Sequence, residues 1–112
     1  MISIIVPTYN RFEILEETIL QTLNISTDVD FELIVVNDGD TLPYNICHPK
    51  LSILKNPKRG SACARNFGAF HAKYPILFFI DDDMHISSNS LTAIKHLHES
   101  EFFSKSCAVR NW

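Results

Sequence analysis

The feature that most constrains the fold is a short apolar run that ends in three aspartates. Residues Ile76 to Ile80 are five consecutive apolar residues, too few for a packed helix and rich in types that favour β-structure. They predict a central strand buried on both faces, as in parallel sheets. The run leads directly into Asp81, Asp82 and Asp83. Because open α/β sheets bind ligands at the carboxyl ends of their strands, this junction is the candidate functional site.

The three adjacent carboxylates repel one another unless a cation or hydrogen-bond donors compensate them. Strand alternation directs Asp81 and Asp83 to one side and Asp82 to the other. One interpretation is a divalent-metal site, whose oxygen ligands suit Mg²⁺ or Mn²⁺. The other is a solvated acidic turn. The three aspartates alone do not distinguish a metal site from a solvated turn, so other parts of the sequence are needed.

The remainder of the chain alternates between strand and helix patterns. Strands are predicted over 2–6, 31–36, 51–54 and 76–80, and helices over 11–23, 61–73 and 87–100. The stretch 41–50 predicts a loop or a distorted helix, and 107–109 is compatible with the start of a further strand. This alternation predicts an α/β fold with a Rossmann-like, mostly parallel sheet and flanking helices.

Two of the predicted helices carry recognisable packing faces. The first has an apolar stripe made of Ile14, Leu15, Ile19, Leu20 and Leu23. The second has small and apolar residues suited to close packing on a sheet, namely Ala62, Ala64, Phe67, Ala69 and Phe70.

Length and composition exclude several classes of protein. At 112 residues the chain is a single domain with room for a real core, and its net charge of −3 argues against a general nucleic-acid binder. No apolar run approaches the ~18 residues of a membrane span. The three cysteines are odd in number and lie in no paired metal spacing, which indicates reduced thiols in a cytoplasmic protein.

Polar residues follow three of the four predicted strands. They are Thr8-Tyr9-Asn10, Asn37-Asp38-Gly39 and Asp81-Asp82-Asp83. In a parallel sheet these three strand ends lie at the same edge. That convergence favours a ligand site over a solvated acidic turn.

The converging side chains match the parts of a nucleoside diphosphate. Tyr9 offers a flat face for a base, and Asp38 offers an acceptor for the imide N–H of uracil or a ribose hydroxyl. Arg65 lies one turn inside a predicted helix that follows a loop containing Lys58 and Arg59. A helix N-terminus with nearby cations is a natural phosphate site.

Four segments, in this order, resemble the signatures of family-2 glycosyltransferases. They are IIVPTYNR, FELIVVNDG, GSACARNFG and LFFIDDD, within a resemblance that runs from Met1 to about Ser100. The resemblance implies a GT-A fold and a metal-dependent enzyme that transfers a sugar from a nucleotide-diphospho-sugar, with a UDP-sugar expected, to a glycan, lipid or other acceptor.

The resemblance also implies roles for individual residues. Tyr9 would stack on the base, Asp38 would accept its N–H, and Arg65 would lie near the base and phosphates. The implied nucleotide-sugar-binding residues are Pro7, Thr8, Tyr9, Asp38, Arg65, Asp81 and Asp82. Asp83 would be the principal ligand of Mn²⁺ or Mg²⁺, with Asp81 beside it.

In the family about as much chain again follows the Asp-x-Asp helix, and it carries the acceptor pocket and the carboxylate base. This sequence stops at Trp112, so we expect a single domain over 1–112 that is truncated before the acceptor half. We expect the general base beyond Trp112, and membrane association, if any, to be peripheral in the full-length enzyme. Apolar residues such as Phe102, Phe103 and Trp112 would then lack partners, which predicts self-association and no sugar transfer by this chain.

Two alternatives remain open from the sequence. One is a nucleotide-binding remnant or pseudoenzyme that binds a nucleotide without turnover. The other is an Asp-x-Asp phosphatase with Asp81 as nucleophile and Asp83 as acid. The phosphatase normally carries its pair on the first strand, and it would leave Tyr9 and Asp38 without a role.

Overall fold

Strands and helices alternate along the chain as the sequence predicts. The structure, a computed structural model, describes residues 1–99, with side chains for residues 1–96. The strands in this range are β1 (Ile2–Thr8), β2 (Phe31–Asn37), β3 (Leu51–Lys55) and β4 (Ile76–Phe79). The helices are α1 (Phe12–Leu23), α2 (Ser61–His71) and α3 (Ser88–Glu99). Residues 41–50 form neither helix nor strand.

All four strands are parallel and form one sheet in the order β3-β2-β1-β4. Ile2 pairs with Phe31 of β2 on one side and with Ile76 of β4 on the other. The expectation that 76–80 forms the central strand is wrong for the sheet that residues 1–99 describe, where β4 is an edge strand. β1 and β2 are also uninterrupted apolar runs, so hydrophobicity alone does not rank the strands by position.

The sheet is covered on both faces. On one face α1 and α3 pack through Leu15, Ile19 and Leu91 against side chains of the inner strands such as Ile4 and Leu33. On the other face α2 packs against alternate residues of the same strands, chiefly Ile5, Ile34 and Val36. β1 and β2 are therefore the hydrophobic centre, which explains why every residue of β2 is buried.

The buried face of α1 differs from the predicted stripe. Leu15 and Ile19 are buried as expected, but Ile14 is 40% exposed and Leu20 is 46% exposed. Thr18 and Thr22 are buried in their place. The hydroxyl of Thr18 donates a hydrogen bond to the backbone carbonyl of Asp82, within the three aspartates at 81–83 that we call the acidic run. A pattern of apolar residues does not predict this contact.

The second helix packs on the sheet through its smallest residues. Ala64 and Gly68, one turn apart, are the buried positions of α2. A Cβ at Gly68 would lie 2.6 Å from Ile5 Cγ2, so the helix approaches β1 more closely than a larger residue permits. The predicted packing role of Phe70 is wrong: its side chain is 82% exposed.

Several expectations fall outside residues 1–99. They concern a further strand over 107–109 and the apolar residues Phe102, Phe103 and Trp112 invoked for self-association. Within the described range, no helix has both the length and the apolar character needed to cross a bilayer.

Candidate functional site

The carboxyl ends of three neighbouring strands enclose a cavity of about 210 Å³. It is lined by Pro7, Thr8, Tyr9, Arg11, Asp38, Ser61, Ala64, Arg65, Asp81 and Asp82. All seven residues predicted to bind a nucleotide sugar are among them. Asp83, the predicted metal ligand, is not a lining residue, although Arg11 connects it to the cavity wall.

A second cavity, of about 300 Å³, lies between the loop after β2 and strand β3. Asn37, Tyr44 and Lys55 are among its lining residues, and none of the predicted site residues is. Despite its larger volume we assign no ligand to it, because the polar groups that converge at the ends of β1 and β4 do not reach it.

Asp82 is the buried member of the acidic run. Its side chain is 6% exposed, compared with 53% for Asp83, although the three aspartates follow β4 in a turn and not in a strand. Thr8 Oγ1 donates to Asp82 Oδ2 at 2.9 Å, and Arg11 donates to Oδ1 at 2.8 Å. Thr18 Oγ1 donates to the Asp82 carbonyl at 2.6 Å. These bonds compensate the buried charge and attach the acidic run to β1 and α1.

Arg11 lines the cavity, although the sequence patterns do not identify it as a site residue. It immediately precedes α1, and its guanidinium reaches Asp82 Oδ1 at 2.8 Å and Asp83 Oδ2 at 3.5 Å. One signal was available: three adjacent acids need a compensating cation, and Arg11 is the first cation after a strand that ends at the same sheet edge.

The two outer carboxylates, Asp81 and Asp83, are exposed. Among residues 1–99 there is no group of three or more His, Cys, Asp or Glu side chains that together could hold a metal ion. Two exposed carboxylates nevertheless fit Mg²⁺ or Mn²⁺, because such ions are commonly held by one or two carboxylates with phosphate oxygens completing the shell. The donor set therefore suits a cation that arrives with a diphosphate.

Asp38 organises the loop that precedes α2. Its Oδ1 accepts a hydrogen bond from Asn56 Nδ2 at 2.9 Å, and its Oδ2 accepts one from the Gly60 backbone N–H at 3.0 Å. The Gly60 bond is the largest cause and lowers the pKa of Asp38, and desolvation, the second largest, opposes it. The Asn56 bond and the charge of Arg59 lower this pKa further. Sequence reasoning missed Asn56, which is 9% exposed.

The loop places a cation on Tyr9. The Arg59 guanidinium carbon lies 4.7 Å from the centre of the Tyr9 ring, a cation–π contact. Tyr9 is 47% exposed, so part of the ring stays accessible beside this contact. Arg65, one turn inside α2, lines the cavity with Ser61. Arg65 in α2 and Arg11 just before α1 thus both line a cavity that is also lined by carboxylates.

The turns after β1 and β2 support each other. Asn10 Oδ1 accepts a hydrogen bond from the Asp40 backbone N–H at 2.7 Å, and Asn37 Oδ1 accepts one from the Gly39 N–H at 3.0 Å. A side chain at Gly39 would clash with the Asn10 amide. Glycine is therefore needed at position 39 so that the turns after β1 and β2 can approach each other this closely.

The model of the glycosyl transferase family 2 matches residues 3–110, almost the entire chain. The chain belongs to glycosyl transferase family 2. This assignment excludes the phosphatase alternative, and it agrees with a β1 that ends in Pro7-Thr8-Tyr9 rather than in an acidic pair.

Among curated proteins, the family-2 chain is similar to several glycosyltransferases. It is 36% identical over 87 residues to a glycosyltransferase of Haemophilus influenzae, a match that covers 74% of this chain and 29% of that protein. It is 35% identical over 91 residues to the poly(ribitol-phosphate) beta-N-acetylglucosaminyltransferase TarP of Staphylococcus aureus, covering 73% of this chain and 28% of TarP. The chain thus spans less than a third of the length of these relatives.

Solved structures show the same fold. S. aureus TarS 1–349 in complex with UDP superimposes with a TM-score of 0.68 at 21% identity, covering 90% of this chain and 32% of that one. The mannosyltransferase PcManGT from Pyrobaculum calidifontis, in complex with GDP-Man and Mn²⁺, gives 0.67 at 24% identity, covering 86% and 32%. The described sheet and its flanking helices accordingly have the GT-A fold.

Proposed function

We propose that this chain is the donor-binding portion of a glycosyltransferase and that its cavity binds a nucleotide-diphospho-sugar. The observation that carries the proposal is the convergence of Tyr9, Asp38, Arg65 and Asp81 on one cavity at the carboxyl edge of the sheet. This edge is where open α/β sheets bind ligands. The ligands bound to the two structural neighbours, UDP and GDP-Man, support a nucleotide as the occupant.

We assign the base to Tyr9 and Asp38, and the phosphates to Arg65. The exposed part of the Tyr9 ring offers a stacking face. Asp38 already accepts two hydrogen bonds, yet a carboxylate has about four acceptor positions, so it has capacity for the imide N–H of a uracil. The guanidinium of Arg65 suits phosphate oxygens. A UDP-sugar is therefore the donor that we propose.

Asp83 and Asp81 are the residues that would hold a divalent cation, Mn²⁺ or Mg²⁺. When bound, such a cation supplies positive charge that stabilises a departing diphosphate. The chain's own part is to hold Asp81 on the cavity wall and Asp83 two residues further on, and Asp82 does this through its hydrogen bonds to Thr8 in β1 and Thr18 in α1. A direct contact of Asp82 with the nucleotide sugar stays a prediction.

For the whole protein we propose transfer of the sugar to an acceptor hydroxyl of a glycan, a lipid or another molecule. An acceptor hydroxyl would displace the diphosphate at the anomeric carbon while a general base removes its proton. We assign that base to none of the described residues. Nucleotide binding without turnover remains the second candidate, and it shares the same cavity.

Isothermal titration calorimetry with UDP, with and without Mn²⁺, tests the proposal. We expect saturable binding of UDP that tightens in Mn²⁺, and weaker binding of ADP, whose base lacks an imide N–H for Asp38. A folded sample that binds UDP in neither condition would contradict the proposal. Release of UDP from a UDP-sugar then separates the enzyme from a binding protein.

Two matched substitutions test the cation ligand. Asp83→Asn keeps the shape of the side chain and removes its charge, so UDP binding should lose its dependence on Mn²⁺. Asp40→Asn removes the same charge from an exposed position outside the cavity, and it should leave that dependence unchanged. Equal effects of the two substitutions would indicate general electrostatics rather than ligation.

A further inference from the structure

The guanidinium of Arg11 contacts two consecutive carboxylates that differ in burial: Asp82 is 6% exposed and Asp83 is 53% exposed. NH1 lies 2.8 Å from Asp82 Oδ1, and NH2 lies 3.5 Å from Asp83 Oδ2. Arg11 also lines the cavity beside Arg65 and Asp81. Among the residues that the structure describes, Arg11 forms ion pairs with the acidic run. The function proposed above gives Arg11 no role.

The two contacts differ in strength. Asp82 is buried and is also held by Thr8, so its short bond to the half-exposed Arg11 is costly to break, because a buried carboxylate would lose its partner. Asp83 is half exposed, and its longer contact with Arg11 is of the kind that contributes little in water. Asp82 therefore anchors the guanidinium, while Asp83 is free to exchange partners.

We propose that Arg11 is a fixed internal counter-ion that makes cation binding at Asp83 depend on the diphosphate. Without a diphosphate, the anchored guanidinium occupies Asp83 and repels a second positive charge at that carboxylate. A diphosphate in the cavity offers the guanidinium of Arg11, whose side chain is 44% exposed, a new acceptor, and Asp83 is then released to accept a cation. This inference rests on the proposed function and adds a coupling residue to it.

The coupling is measurable without any turnover. Binding of Mn²⁺ alone is followed by the electron paramagnetic resonance signal of free Mn²⁺, first without UDP and then with saturating UDP. The ratio of the two dissociation constants is the coupling factor. A residue that only stabilises the fold would change the melting temperature and leave this factor unaltered.

Two variants remove the contact with Asp83 in different ways. Arg11→Lys keeps a positive charge near Asp82 but lacks the fork that spans two carboxylates. Arg11→Met combined with Asp82→Asn removes the guanidinium together with the buried charge it compensates, which protects the fold from an unpaired carboxylate. Lys73→Met removes the same charge from an exposed residue after α2 that does not line the cavity, and it is the control.

For both Arg11 variants we expect tighter binding of Mn²⁺ in the absence of UDP and a coupling factor lower by on the order of tenfold. Lys73→Met should leave the factor within about twofold of the parent, since exposed charges interact weakly. Parent and Arg11 variants with the same coupling factor would overturn the role of Arg11 while leaving the donor site intact. A parent chain that binds neither UDP nor Mn²⁺ would instead overturn the proposed function.

Discussion

Thr8 Oγ1 donates a 2.9 Å hydrogen bond to Asp82 Oδ2, although the two residues are 74 positions apart in sequence. The bond joins the last residue of β1 to the turn that follows β4. Both side chains are buried, so water cannot replace either partner. The position of the acidic run relative to the rest of the cavity therefore depends on a threonine in the neighbouring strand.

Thr8→Val should destabilise the chain by about 1.5–3 kcal/mol, because a buried carboxylate oxygen loses its donor while the side-chain shape is kept. Urea unfolding followed by circular dichroism measures the change. Thr41→Val is the matched control, since Thr41 is exposed, and it should change the free energy of unfolding by less than about 0.5 kcal/mol. Equal values for the two variants would contradict a structural role for the Thr8–Asp82 bond.

The loop held by Asp38 should open in acid. The Gly60 N–H bond lowers the pKa of Asp38 below its usual value, so the stabilisation is present above the unfolded-state pKa of about 3.9. It is lost as the pH falls through the lower pKa of the folded state, because the protonated carboxyl is a weaker acceptor.

The Gly60 amide resonance reports this event directly. Its NMR shift should titrate with a midpoint below the ordinary aspartate range, and Asp38→Asn should abolish that titration. Asp40→Asn, a substitution two residues away, should preserve it. A Gly60 amide shift that does not change with pH in the parent chain would contradict the hydrogen bond from Gly60 N–H to Asp38.

Arg59→Ala should weaken the binding of both uridine and UDP about two- to fivefold, the equivalent of a cation–π contact of about 0.5–1 kcal/mol at an exposed ring. The expectation follows from the guanidinium on Tyr9, which orients the ring proposed to stack on the base. Calorimetry with the two ligands separates stacking from phosphate attraction, since uridine carries no phosphate. Lys58→Ala removes an equal charge from the same loop; a comparable loss of uridine affinity there would point to net charge instead.

Gly68→Ala should destabilise the chain by about 1–3 kcal/mol, although alanine favours helices more than glycine does. The new methyl would lie 2.6 Å from Ile5 Cγ2 and 3.1 Å from Val36 Cγ2, both on the buried inner strands. Thermal and urea unfolding measure the change. Asn66→Ala, at an exposed position of the same helix, should be neutral or stabilising, and a stabilising Gly68→Ala would show that α2 does not pack as described.

Much of the architecture was predictable because local patterns determine it. The β-branched run of β1, the apolar run of β2 and the acidic end of the 76–80 run each identify an element and its direction without reference to the others. The convergence of Tyr9, Asp38 and Asp81 follows from parallel topology alone, since parallel strands end at one edge. The four sequence segments likewise pointed to the family before any geometry was known.

The order of the strands in the sheet and the hydrogen-bond partners of the polar side chains in the site are known only from the tertiary structure. β4 lies at the edge of the described sheet, next to β1. The position of a strand depends on its pairing partners, and because several strands are similarly apolar, hydrophobicity does not identify those partners. Thr18 is buried on α1, where its hydroxyl donates a hydrogen bond to the Asp82 carbonyl. The helical periodicity of apolar residues does not predict a buried threonine at this position. Arg11 binds Asp82 across 71 residues, and Asn56 and Gly60 bind Asp38 across 18 and 22. Such bonds depend on distances in space, and the sequence specifies them only through the complete fold.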